Sequence, residues 1–242
     1  MASLVKKVVA WPKVLLFGDS ITQFSFSTEG CWGSLLSDLL QRRCDVLNRG
    51  FSGYNTRWCK VLLPAVLDEK LAKETVALVI FLGANDSNWY EKNPRQHVPL
   101  DEYKLNLKEM VEFSLSQGIS REKVILVTPP AFDAPAWGEQ CLLKGKVLSK
   151  DNKITGVYAE ACSNIAEEMG TECVDLYSEM MKSEEYASYL CDGLHLSRHG
   201  SRLLFDLLRP VIEKLTAQLP TTLFPSWDEI DPDNLEKSLL GL

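Results

Sequence analysis

Ser20 stands in the run FGDSIT, directly after a short apolar segment. A serine at the end of a strand has two uses. Its hydroxyl can cap the helix that follows by accepting a backbone N–H, or it can be a nucleophile presented at the strand's carboxyl end. Far along the chain, DGLHLSRHG sets Asp192 and His195 three residues apart, a spacing at which a carboxylate can orient an imidazole as a general base. Two of the chain's three histidines fall in this stretch, although a surface or capping role fits each of them taken singly. His199 lies beside Gly200 in the expected first turn of the next helix, where capping or packing is the simpler account. Between these two regions, Gly53 in NRGFSGYNT offers a backbone N–H, and Asn85 in LGAND offers a side-chain amide. Each also reads as an ordinary loop or turn residue. Taken with the N–H of Ser20, they would give three donors for an oxyanion hole. Nucleophile, base, orienting acid and donors are the set that acyl transfer requires. Asp19 is assigned to the turn, its carboxylate accepting nearby backbone N–H groups. One Asp and two His lack the spacing of a zinc site, so no metal is assigned.

The elements that must position these residues are legible as an alternation. Short apolar, β-branched runs recur at 14–17, 46–47, 76–82, 124–127 and 174–176. Between them lie segments with helical periodicity, clearest in Leu203, Leu204, Leu207, Leu208, Val211, Ile212 and Leu215, which predict an amphipathic helix over most of 198–217. Strands that are apolar throughout, alternating with helices, predict a five-stranded parallel sheet covered on both faces, an α/β/α sandwich. In such a sheet all carboxyl ends share one edge, where α/β proteins bind ligands. Ser20, Gly53 and Asn85 each follow a predicted strand, and His195 precedes the last long helix. They are therefore predicted to converge.

Two further segments follow predicted strands and would overhang that edge. One, at 88–99, is polar and aromatic and carries Trp89 and Tyr90; the other, at 129–146, carries Pro, Gly and Trp137. These three aromatics are expected to narrow the site and favour short acyl groups. The tail, 220–242, has three prolines and five acids against one base. It reads as an extension lying on the surface, anchored by Phe224 and Trp227 and ending in a helical turn at 234–240.

Composition bounds what the chain can be. It has 242 residues, 45% hydrophobic and 24% charged, which is ordinary globular usage. The expected organisation is a single domain, with a core at about 13–217 and the extension at 218–242. A net charge of −7 without a basic block argues against a nucleic-acid partner. The longest apolar stretch, 76–84, is too short to cross a bilayer, so no transmembrane segment is expected. The N-terminus (MASLVKKVVAWPK) lacks the apolar core and cleavage site of a signal peptide. Seven irregularly spaced cysteines then read as free thiols of a cytoplasmic protein.

In order, FGDSIT, NRGFSGYNT, LGAND and DGLHLSRHG resemble the four blocks of the SGNH (GDSL-type) hydrolase superfamily. Ser20, Gly53, Asn85 and His195 fall on its four signature residues, and Asp192 on its Asp-x-x-His. FGDSITQFSF, GFSGYNTRW and DGLHLS are most similar to its isoamyl acetate-hydrolysing branch. Ile21 stands where GDSL names leucine, a conservative departure. The resemblance implies a flavodoxin-like sheet of order 2-1-3-4-5 and no metal or organic cofactor, but it does not fix the substrate, which is expected to be a small-molecule ester. The expected protein is a serine esterase working through an acyl-enzyme on Ser20. Two alternatives stand beside it: a lipase or acetylhydrolase on larger lipid or sugar esters, and a non-catalytic binding protein on the same fold.

Overall fold

The computed structural model describes residues 9–240; the stretch 1–8, on which the leader reading rests, and the last two residues of the extension lie outside them. Five strands, β1 (Lys13–Gly18), β2 (Asp45–Gly50), β3 (Thr75–Phe81), β4 (Val124–Val127) and β5 (Glu172–Val174), form a parallel sheet of order 2-1-3-4-5. The connections hold α1 (Ser20–Gln23), α2 (Trp32–Leu39), α3 (Thr56–Val66), α4 (Glu69–Glu74), α5 (Leu100–Ser116), α6 (Ala134–Leu143), α7 (Asn152–Met169) and α8 (Leu176–Met181). Of these, α8 already lies beyond β5, and after it come α9 (Arg198–Thr216) and α10 (Leu235–Leu240).

Successive strand residues point to opposite faces, so each apolar strand feeds two cores. Val14 and Leu16 of β1 join Val79 and Phe81 of β3 in one core. There they meet Trp32 and Leu36 of α2 and Leu204, Leu208 and Ile212 of α9. Leu15 and Phe17 join Leu78 and Ile80 in the other, against Leu63 of α3, Leu107 and Met110 of α5 and Ile165 of α7. The central strands are buried on both faces, which is why they read as continuous apolar runs.

One segment gains an element, and two expectations need revision. The segment 129–146 contains a helix: the Asp133 carboxylate accepts the Ala136 N–H at the start of α6, and Pro135 occupies its first turn. β5 stops at Val174 because Asp175 caps α8 through the Ser178 N–H, so the buried Leu176 belongs to a helix. In the extension, Phe224 packs on Trp11 with ring centroids 6.3 Å apart. Trp227, however, is 86% exposed and anchors nothing. The Arg42 guanidinium instead holds the tail through the carbonyls of Phe224 and Pro225, both at 2.8 Å. Trp227 opens a 3₁₀ turn whose capping box, Ser226 with Glu229, is satisfied locally and does not require the indole to be buried.

Candidate active site

β1 ends in Gly18, and Asp19 caps the short α1 by accepting the Ile21 N–H at 2.9 Å. Ser20 is therefore the first residue of the helix and not its cap, which leaves its hydroxyl available. The Ser20 Oγ lies 3.0 Å from Nε2 of His195. The other ring nitrogen, Nδ1, lies 2.7 Å from Oδ2 of Asp192. With Nδ1 donating to the carboxylate, Nε2 is left to accept the serine proton.

The segment carrying Asp192 and His195 is a bend and not a helical turn. Oδ1 of Asp192 accepts the N–H groups of Leu194 at 3.0 Å and His195 at 2.8 Å, which folds the chain back on the carboxylate. Gly193 makes this possible at φ +90°; a Cβ there would sit 2.5 Å from the Trp137 nitrogen and 2.6 Å from the Asp133 carbonyl. Burial raises the Asp192 carboxyl, but the His195 hydrogen bond and charge, with the two backbone N–H groups, outweigh it and leave the carboxyl below its ordinary value. Phe24 and Trp137 stand edge-on to the imidazole at 5.9 and 5.8 Å and fix its plane.

Gly53, at φ +81°, and Asn85 lie at the same sheet edge. Among the described residues neither the Ser20 nor the Gly53 N–H has an acceptor. The Asn85 amide is engaged: Nδ2 donates to the Tyr54 carbonyl at 2.8 Å and, at a long 3.3 Å, to Oδ2 of Asp19. Gln96 ties the two donors together, its Nε2 reaching the Gly53 carbonyl at 2.8 Å and the Asn85 Oδ1 at 3.1 Å. The sequence reading missed Gln96. Its only signal was membership of the polar segment after β3.

Charged groups lie buried around 84–86. The Asp86 Oδ1 accepts the backbone N–H of Thr56 at 3.0 Å and the Thr56 hydroxyl, while Oδ2 has no partner among the described residues. Burial pushes the Asp86 carboxyl up to about 7 against the pull of those Thr56 bonds. Burial likewise raises Asp19 to about 6, opposed by the Ile21 N–H and by His195 and Lys150. Lys150, also absent from the sequence reading, is buried, donates to the Ala84 carbonyl and lies 5.3 Å over the Phe132 ring. Burial lowers its ammonium to about 8, and the charges of Asp19 and Asp86 hold it up.

A depression of about 620 Å³ adjoins Asn85 and is walled by Trp137, Tyr54 and Trp58 among others. His195 lines a second hollow of about 180 Å³ with Ile21 and Phe24. Of the three aromatics expected to narrow the site, Trp137 is in the wall. Trp89 and Tyr90 are absent from the lining of both hollows. Tyr90 is 63% exposed and packs on His97 at 5.9 Å, and the Trp89 backbone N–H is tied to the Ser149 carbonyl at 2.6 Å. From the segment 88–99, Asn88 and Gln96 are among the residues that line the depression, donating to the Asn85 and Gly53 carbonyls. His199 stacks on Tyr189 with centroids 4.5 Å apart, in the first turn of α9. Among the described residues no group of three or more His, Cys, Asp or Glu is placed to hold a metal, and no helix is long and apolar enough to cross a membrane.

A doubly wound parallel sheet with a serine, an imidazole and a carboxylate in one hydrogen-bonded line at its carboxyl edge defines the α/β class of acyl hydrolases. The chain belongs to the GDSL-like lipase/acylhydrolase family, whose model matches residues 16–203. It is 52% identical over 233 residues to the isoamyl acetate-hydrolyzing esterase 1 homolog of Mus musculus, across 96% of this chain and 93% of that one. A GDSL esterase/lipase of Arabidopsis thaliana is 37% identical over 239 residues, across 94% of this chain and 97% of its own. A lipase/acylhydrolase from Enterococcus faecalis shares the fold, with a TM-score of 0.64 at 23% identity over 86% of this chain and 97% of that one. The protein is a carboxylic ester hydrolase.

Proposed function

We propose that the chain hydrolyses short-acyl, acetate-type esters through an acyl-enzyme on Ser20. His195 Nε2 takes the hydroxyl proton as the Ser20 Oγ bonds to the ester carbonyl carbon, and the carbonyl electron pair moves to oxygen. Asp192 holds the imidazole in the right tautomer and stabilises the imidazolium. The N–H groups of Ser20 and Gly53 and the Asn85 amide receive the oxyanion, Asn85 giving up its long bond to Asp19 to do so. The intermediate collapses, the carbon–alkoxide bond breaks, and His195 passes its proton to the departing alcohol. Water then attacks the acyl-enzyme with His195 again as base, releasing the acid and restoring Ser20.

The observation that carries this reading is the unbroken line from Ser20 through His195 to Asp192. The acetate preference is supported by the name of the relatives that are about half identical to this chain, and by Trp137 in the wall of the site. The same reading takes the chain as one hydrolase domain with its tail as an extension. It also takes the cytoplasm as its compartment, consistent with the free thiols, of which Cys44, Cys59, Cys141 and Cys162 are buried. Initial rates on p-nitrophenyl acetate, butyrate and palmitate test it. Acetate and butyrate are expected to be turned over faster; a preference for palmitate would replace this reading with that of a lipase.

A further inference from the structure

The whole protein carries a net charge of −7, yet the large depression beside Asn85 has four cationic side chains in its wall, Lys92, Arg95, Lys146 and Lys150, and no carboxylate. Lys150 is buried and committed to the Ala84 carbonyl. The other three are exposed and reach the rim. Among the described residues none of those three has a carboxylate within ion-pair distance. Arg95 stands out further. Each of the other arginines hydrogen-bonds a carbonyl or carboxylate, whereas the Arg95 guanidinium has no acceptor among the described residues.

A concave, low-dielectric wall of one sign focuses its field, and a free guanidinium offers a planar fork matched to carboxylate or phosphate oxygens. Trp137 belongs to this wall and also packs edge-on to His195, and Asn85 lines the wall as well, so the depression lies beside the residues proposed to act on the ester. Tyr54 and Trp58, packed edge to face, add an aromatic flank to the wall. From this arrangement we infer that the depression binds an anionic group on the ester, a carboxylate or phosphate set apart from the reacting carbonyl, gripped by Arg95 with Lys92 and Lys146. The inference rests on the reading of Ser20 as the reacting group. It narrows the substrate class from short esters in general to those carrying a negative charge on one side.

Matched esters that differ in one charge test it on the full chain. Charge on the alcohol side is compared with 4-acetoxybenzoate and 4-acetoxybenzamide, with 4-acetoxyphenyl phosphate as the phosphate arm. Charge on the acyl side is compared with the monophenyl ester of succinate and phenyl succinamate. At low salt the anionic member of at least one set is expected to have a kcat/KM roughly fivefold to tenfold higher than its neutral mate, as several exposed cations acting together would give. That ratio should collapse in Arg95→Gln and in Lys92→Gln. It should also collapse when ionic strength rises from about 0.01 to about 1 M, which shortens the Debye length from about 30 to about 3 Å. Ratios near one in every set, or ratios that the variants leave untouched, would overturn the inference. If no ester is turned over at all, the reading of Ser20 fails, and calorimetric titration with 4-hydroxybenzoate and 4-hydroxybenzamide decides the anion site separately. Tighter binding of the benzoate, weakened in Arg95→Gln, upholds the site; equal binding of the two overturns it.

Discussion

The ammonium of Lys150 donates into the carbonyl of Ala84, the residue just before Asn85. This buried cation thus fixes the backbone that presents a proposed oxyanion donor, and its charge is held by those of Asp19 and Asp86. Removing one partner from a buried charge cluster leaves the others uncompensated, at a cost of about 3–5 kcal/mol. Lys150→Met is therefore expected to lower stability by that order in urea unfolding, whereas the exposed Lys144→Met should be near neutral. A Lys150→Met protein as stable as wild type would show that the cluster is not held by this charge.

Asn85→Ala removes one of three proposed oxyanion donors, so kcat should fall by roughly 10²–10³ with KM changed far less. Gln96→Ala keeps all three donors but frees Gly53 and Asn85 from their common tether, and a loss of about tenfold in kcat is expected. Steady-state kinetics on p-nitrophenyl acetate separates the two. A larger loss in the Gln96 variant would mean that the Asn85 amide does not face the oxyanion.

The two histidines of DGLHLSRHG should behave differently. His195→Ala is expected to cost about as much turnover as Ser20→Ala, because the pair acts as one unit, and Asp192→Asn somewhat less. His199→Ala loses only its stacking on Tyr189, so it should cost about 1 kcal/mol of stability and keep most of the activity. The opposite ranking in an ester assay would assign the base to His199.

Asp86 makes stability depend on pH with a defined sign. Its folded-state pKa is raised from 3.8 to about 7, so the native state holds this proton more tightly than the unfolded chain does. The resulting stabilisation is complete below the ordinary carboxyl pKa and is lost as pH rises through the raised value. Asp86→Asn removes this contribution. Its stability relative to wild type should therefore rise between about pH 4 and about pH 7, as read from urea unfolding at several pH values. A difference that stays flat across this range would place the Asp86 proton elsewhere.

What was legible in the sequence was whatever repeats or is local. The run 124–127 is β4 to the residue, because strands buried on both faces are apolar throughout. Asp192 and His195 were legible as a pair by spacing alone, and their approach to Ser20 followed from all the strand ends sharing one edge. The bend that joins them was not, since it depends on Gly193 fitting against Asp133 and Trp137. Gln96 and Lys150 act across 43 and 66 residues on backbone carbonyls, contacts that carry no periodicity. The absence of Trp89 and Tyr90 from the wall of the depression was hidden for the same reason, since Asn88 and Gln96 take the place through bonds to local and distant backbone carbonyls.

The central claim is that Ser20 is the nucleophile, and covalent labelling tests it most directly. A fluorophosphonate probe reacts with a serine activated by a neighbouring base and oxyanion donors, and peptide mapping by mass spectrometry locates the adduct. The probe is expected on Ser20 alone, with labelling and ester turnover both lost in a normally folded Ser20→Ala protein. An adduct on a different serine, or turnover that survives in Ser20→Ala, would contradict the mechanism.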